Sequence, residues 1–154
     1  MPKQYWLMKS EPEVYSIEHL KKDKQTLWEG VRNYQARNFM MKDMKVGDEV
    51  LFYHSNAEPT GIAGLAKVTK VGTPDPSQFN PKSEYYDKKA TKEKPIWYCV
   101  QVEFAKSFHE VITLEQLKKE KALAEMLVLK RGQRLSVQPV DEKHFNYIKK
   151  LDTK

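Results

Sequence analysis

Cysteine is nearly absent from this chain. Cys99 stands alone in 154 residues, so no internal disulfide can form and no thiolate-based zinc site is available. Long apolar runs are also missing. No stretch approaches the roughly 20 residues that a membrane-spanning helix requires. The opening Met-Pro-Lys-Gln-Tyr-Trp-Leu-Met lacks the apolar core and small-residue cleavage site of a secretory signal. The expected location is cytoplasmic. Histidine is sparse, and His19, His54, His109 and His144 show neither HExxH nor any close metal-ligand spacing. No metal or other cofactor is expected. Gly61-Ile-Ala-Gly64 is neither a P-loop nor a dinucleotide fingerprint, and its simplest role is a strand bend or a close backbone approach. No GxSxG surrounds a serine, and nothing in the spacing of Ser10-Glu11 and His54 supports a triad. With each recognisable catalytic motif missing, a non-enzymatic role is expected.

What is present is ordinary for a globular chain: 40% hydrophobic and 31% charged residues. The length suits one domain over 1–154, expected to be a monomer, with a real core. The net charge of +6 and pI of about 9.2 suit a polyanionic partner. Arginine distribution says more. Only Arg32, Arg37, Arg131 and Arg134 are arginine among 27 basic residues, and they fall in two tight pairs. Guanidinium is the group for planar, bidentate contact with phosphate or base edges. Arg32, Arg37 and Arg131 are therefore candidate phosphate contacts.

Tyr5–Met8 reads as a first strand, followed by a short lysine-rich helix from the N-cap Ser16 to near Asp23. Thr26–Val31 is a second apolar run, and Asn33 is placed to cap a helix through Met41. Glu49–His54, Ile62–Val71 and Ile96–Phe104 carry the β-branched and aromatic content of strands. Thr113-Leu-Glu-Gln116 is a capping box opening short helical pieces to about Leu129. Arg134–Val140 reads as a last strand, and Asp141 as the cap of a terminal helix. Trp6 and Trp97 read as mid-strand core. Strands mixed with short helices, without βαβ alternation, indicate an α+β domain on a curled or closed sheet. Gly72–Pro95, with four of the eight prolines, five lysines and Tyr85-Tyr86, shows no periodicity and is expected to be a flap beside a site.

Several segments carry a family resemblance. Tyr-Trp-Leu-Met-Lys-Ser-Glu-Pro (5–12), Trp-Glu-Gly-Val-Arg-Asn-Tyr-Gln-Ala-Arg-Asn (28–38) and Gly-Asp-Glu-Val-Leu-Phe-Tyr-His-Ser (47–55) resemble the EVE domain family of the thymocyte nuclear protein type. Gly-Ile-Ala-Gly-Leu-Ala (61–66) and Arg-Leu-Ser-Val-Gln-Pro-Val (134–140) extend the match in order along the chain. The resemblance implies a PUA-like curled β-barrel of about five to six strands, flanked by short helices, with a pocket for a modified nucleobase. It also implies kinship with YTH domains, in which a Lys-Ser ends the first strand, a Trp forms one cage wall and a nearby Asn contacts the base. Those positions are Lys9-Ser10, Trp28 and Asn33 here. Gly30-Val31-Arg32 departs from the small polar residues that YTH proteins carry after the Trp. The second cage Trp has no clear match, and Tyr85 or Tyr86 is its candidate replacement.

A bound base needs a flat stacking surface and a few donors and acceptors for its edge. Trp28 supplies the surface, with Val31 beside it, and the alternative for Trp28 is plain core. Asn33 and Gln35 each offer an amide donor and acceptor, although Asn33 serves equally as a helix cap. Ser10 can hydrogen-bond an exocyclic group or merely cap a turn, and Lys9 is a candidate through the Lys-Ser resemblance. Tyr53 and His54 end a strand, where a barrel mouth would lie, or form a satisfied core pair. Arg134 and Gln138 alternate on the last strand and are expected to face one side. The expected function is recognition of a base, modified, in DNA or RNA. The competing readings are a modification-linked enzyme and a small-molecule or protein-binding domain using the same pocket.

Overall fold

Trp6 and Leu7 are neighbours in sequence and point to opposite faces of a strand, as its two-residue period demands. Both are buried. The sheet to which they belong is therefore covered on each side, which is why its strands read as apolar runs rather than clean alternations.

The computed structural model describes residues 3–130 and 135–152. Its strands are β1 (Tyr5–Ser10), β2 (Gln25–Leu27), β3 (Glu49–His54), β4 (Gly61–Pro74), β5 (Tyr98–Thr113) and β6 (Val137–Val140). They form one six-stranded mixed sheet in the order β2-β5-β4-β3-β1-β6. β1 runs parallel to β3, with Ser10 opposite His54, and the other pairings are antiparallel. The α+β class holds. The expected barrel does not: among the described residues β2 and β6 are unpaired edges and the sheet stays open. Its curl comes from β4 and β5, whose register shifts at several points between Ile62 and Thr73. Bulges of this kind bend a strand and increase its twist.

One core cluster joins Trp6, Met8, Trp28, Phe52 and Val100 to α1 (Ile17–Asp23) and α2 (Tyr34–Asn38). The opposite cluster joins Leu7, Leu51, Tyr53 and Ile62 to α3 (Leu114–Lys118) and α4 (Glu142–Leu151). The Ser16 and Thr113 capping boxes form as the sequence predicts. Gly64 is the close approach that its motif suggested, because a Cβ there would overlap the Lys106 carbonyl and crowd Ile17.

Several boundaries differ from expectation. The run after Thr26 leaves the sheet at Leu27, α2 passes into a π turn over Phe39–Asp43, and β5 continues to Thr113. The last strand begins at Val137, and Asp141 sits at the N-cap of α4 without a side-chain capping bond. Trp97 immediately precedes β5 instead of lying within it. The 72–95 stretch is not structureless. It finishes β4, makes a 3-10 turn over Pro76–Phe79, and is pinned by the buried Gln78, which binds the backbone at Asp75, Ile96 and Trp97. Short polar contacts of long sequence separation leave no periodic trace.

Candidate functional site

Where β1 ends, its last residues face the chain that leaves β2, and a cavity of about 910 Å³ lies between them. That size falls in the range of ligand pockets. Lys9, Ser10 and Glu11 form one side, with Val14 and Tyr15 above them, and Thr26 to Arg32 form the other. Ser55, Asn56, Ser136 and Tyr85 complete the lining.

The Trp28 N–H donates to the Val100 carbonyl at 2.8 Å, carrying the β2–β5 ladder one step past the strand. The chain then turns at Gly30, at φ +88°, a left-handed conformation that favours glycine. The Gly30 N–H donates to Asp75 Oδ2 at 2.8 Å. Gly30 also makes room: a Cβ there would lie 2.7 Å from Cε2 of Tyr85, so the tyrosine ring packs directly on its backbone.

Arg32 fixes the segment that carries Tyr85. Its Nε and Nη2 donate to the Tyr85 carbonyl at 3.1 and 2.6 Å, and Nη2 also reaches Ser77 Oγ at 3.2 Å. Nη1 donates to Asp75 Oδ2 at 3.1 Å and to the Val31 carbonyl. Asp75 is buried, with its side chain 1% exposed. The 72–95 stretch is thus a strapped wall of the cavity.

The three tryptophans differ in one respect. The Trp6 and Trp97 indoles donate to Asp48 and Asp87 at 3.0 and 2.9 Å. The Trp28 indole N–H makes no hydrogen bond among the described residues, although Trp28 is only 7% exposed and packs edge-on to Phe52 at 5.4 Å. Buried indoles normally find an acceptor.

Other lining residues carry polar groups with unused capacity. The Ser10 hydroxyl donates to the Tyr15 carbonyl at 2.6 Å, keeping its lone pairs for an incoming donor. The Lys9 ammonium lies 5.8 Å from the Tyr53 ring centroid, pairs with no carboxylate among the described residues, and has its pKa pushed down by burial. The Glu29 carboxyl is pushed up, first by burial and then by the charge of Asp75, against the pull of Arg32. Glu11 accepts from Asn56 Nδ2 at 3.2 Å.

The cavity brings together Lys9, Ser10, Trp28, Val31 and Arg32 of the expected site. It does not bring the others, and the reasons are local. The Asn33 side chain accepts the Ala36 N–H at 3.0 Å as the cap of α2, and Gln35 points from that helix to solvent. Tyr53 belongs to the core on the far face of the sheet. His54 Nε2 accepts the Ile17 N–H at 3.1 Å, and burial pushes its pKa down. Gln138, 1% exposed, donates to the Leu135 carbonyl at 2.9 Å. Arg32 and Arg37, expected at phosphates, both use their guanidiniums to hold the fold. Arg37 donates to the Ile96 carbonyl and Asn38 Oδ1, each at 2.9 Å, and lies 4.8 Å over the Tyr34 ring. Arg131 and Arg134 lie outside the described residues. Glu29 also lines the cavity, and its only sequence signal is its place beside Trp28.

The EVE domain family model matches residues 4–151. The chain belongs to the EVE domain family. Human thymocyte nuclear protein 1 is 42% identical over 97% of this chain and 74% of its own length. A hypothetical protein from Leishmania major has a solved structure that superposes with a TM-score of 0.94 at 45% identity, covering 99% of this chain and 96% of that one. The human THYN1 protein, solved in complex with 5-methylcytosine containing DNA, superposes with a TM-score of 0.90 at 41% identity over 99% of both chains. No helix among the described residues of this EVE domain is long and apolar enough to cross a membrane.

Proposed function

We propose that this EVE domain is a non-enzymatic DNA-binding module that takes a modified base, of the 5-methylcytosine class, into the Trp28 cavity. The observation that carries the reading is the Trp28 indole, a large aromatic at a cavity wall whose N–H alone among the three tryptophans has no partner among the described residues. A stacked base would use the ring face, and its edge would find Ser10 and the neighbouring polar groups. The human relative solved with 5-methylcytosine containing DNA supports the choice of ligand. The net charge of +6 suits a polyanion.

A binding role fits the site's chemistry better than catalysis. Ser10 donates its proton to a carbonyl, and among the described residues no base is paired to it. His54 spends Nε2 on a backbone N–H and burial keeps it neutral. A nucleophile needs a base within hydrogen-bond reach.

The test is binding of oligonucleotides that differ only in one 5-methyl group, using wild type, Trp28→Ala and Trp28→Phe. Loss of a stacking platform costs about 1–3 kcal/mol, or about five- to 150-fold in affinity. Trp28→Ala is expected to show that loss, and Trp28→Phe, which keeps an aromatic face, to retain much of the binding. Full modified-base affinity in folded Trp28→Ala refutes the reading. Mass spectrometry of the recovered oligonucleotide is expected to show no chemical change.

A further inference from the structure

The cavity holds one carboxylate that does not pair. Glu29 lines it, yet forms no ion pair or side-chain hydrogen bond among the described residues. Of the cavity's other charged groups, Arg32 is spent on Asp75 and Tyr85, and Glu11 on Asn56. An unspent acceptor therefore remains in the cavity that Trp28 lines, whereas the Lys9 ammonium lies 5.8 Å from the ring of Tyr53, on the far face of the sheet.

That carboxylate bears on a question a methyl group cannot answer. Thymine carries the same 5-methyl as 5-methylcytosine. The two differ at position 4, where cytosine offers an amino donor and thymine a carbonyl acceptor. A cavity that read only shape and methyl would accept both. We propose that Glu29 reads the exocyclic amine of an amino-bearing pyrimidine, its carboxylate accepting the N–H. A thymine in the same pose would set its position-4 carbonyl against the carboxylate. Carboxylates accepting from the cytosine amine are a recurrent base contact. The assignment rests on the base-binding reading above. The amine belongs to cytosine alone, so Glu29 controls discrimination.

The test uses duplexes with 5-methylcytosine, cytosine or thymine opposite an abasic position, so that no base pair biases release. Wild type is expected to prefer 5-methylcytosine over thymine by about tenfold or more. Glu29→Gln, whose amide turns to present either oxygen or nitrogen, is expected to bring the two within about threefold. Retention of the full preference by Glu29→Gln overturns the assignment. Equal wild-type binding of 5-methylcytosine and thymine, both above cytosine, overturns it while leaving base recognition standing. Equal binding of all three bases overturns both.

Discussion

Arg32 separates a structural from an electrostatic role, and Arg32→Met is the decisive substitution. Methionine keeps much of the aliphatic stem and removes the guanidinium. Five hydrogen bonds go with it: two to the Tyr85 carbonyl and one each to Val31, Asp75 and Ser77. The largest consequence falls on Asp75, whose 1% exposed side chain loses its cation while keeping the Gly30 and Ser77 donors. Removing one partner of a buried ion pair costs about 3–5 kcal/mol. Arg32 is itself 22% exposed, so the lower end applies, about 3 kcal/mol by urea denaturation. At this chain length that corresponds to a Tm lower by about 6–12 °C. Adding Asp75→Asn to Arg32→Met is expected to recover part of the loss, because the stranded charge is then gone. The salt dependence of DNA binding gives the second measurement. A guanidinium spent internally releases no counterion, so the slope of log affinity against log salt is expected to match wild type. A slope reduced by about 0.9 with unchanged stability would refute this account and return Arg32 to the phosphates.

Other substitutions report on neighbouring parts. Gly30→Ala is expected to destabilise by more than the roughly 1–2 kcal/mol of a left-handed residue, because its Cβ also displaces Tyr85; urea titration and loss of base preference check this. Gly64→Ala should cost about 1–3 kcal/mol through overpacking against Lys106 and Ile17, and unchanged stability would deny the close β4–β5 approach. His54 supplies a pH dependence with a definite sign. Burial depresses its folded pKa, so the unfolded chain binds the proton first as pH falls. The stability it contributes is full above about pH 6.5 and is lost as pH drops toward the folded value, by at most about 1.4 kcal/mol per pH unit. The stability gap between wild type and His54→Gln should narrow over that window, and a constant gap would contradict the buried neutral imidazole.

Much of the fold was legible because its signals are local. Ser16 and Thr113 cap helices through neighbours three residues away, and β3 occupies the Glu49–His54 run that its composition marked. The strapped 72–95 wall was not legible, since Asp75, Gln78 and Tyr85 act on partners up to 53 residues distant. The site was half legible for a related reason. Family position located Lys9, Ser10 and Trp28, but a side chain's capacity to read a base depends on whether the fold has already used it. Asn33 has the right amide for a base edge, and α2 uses it as a cap. His54 has the right ring, and α1 holds it through the Ile17 N–H.

That principle also explains the division of labour from Trp28 to Asn33. Trp28 continues the ladder through its backbone and leaves its indole N–H without a partner among the described residues at the cavity wall. Gly30 contributes no side chain, and that absence lets the Tyr85 ring approach. Arg32 and Asn33 spend their polar groups on the strap and on α2. Between them Glu29 donates its backbone N–H to the Leu27 carbonyl and keeps its carboxylate uncommitted. Rigid backbone with unspent side-chain chemistry is what a reading site requires, because a group held in place loses less entropy on binding. Along these residues, the side chains without an internal partner at the cavity are the ones to mutate for specificity. Those with partners are the ones to mutate for stability.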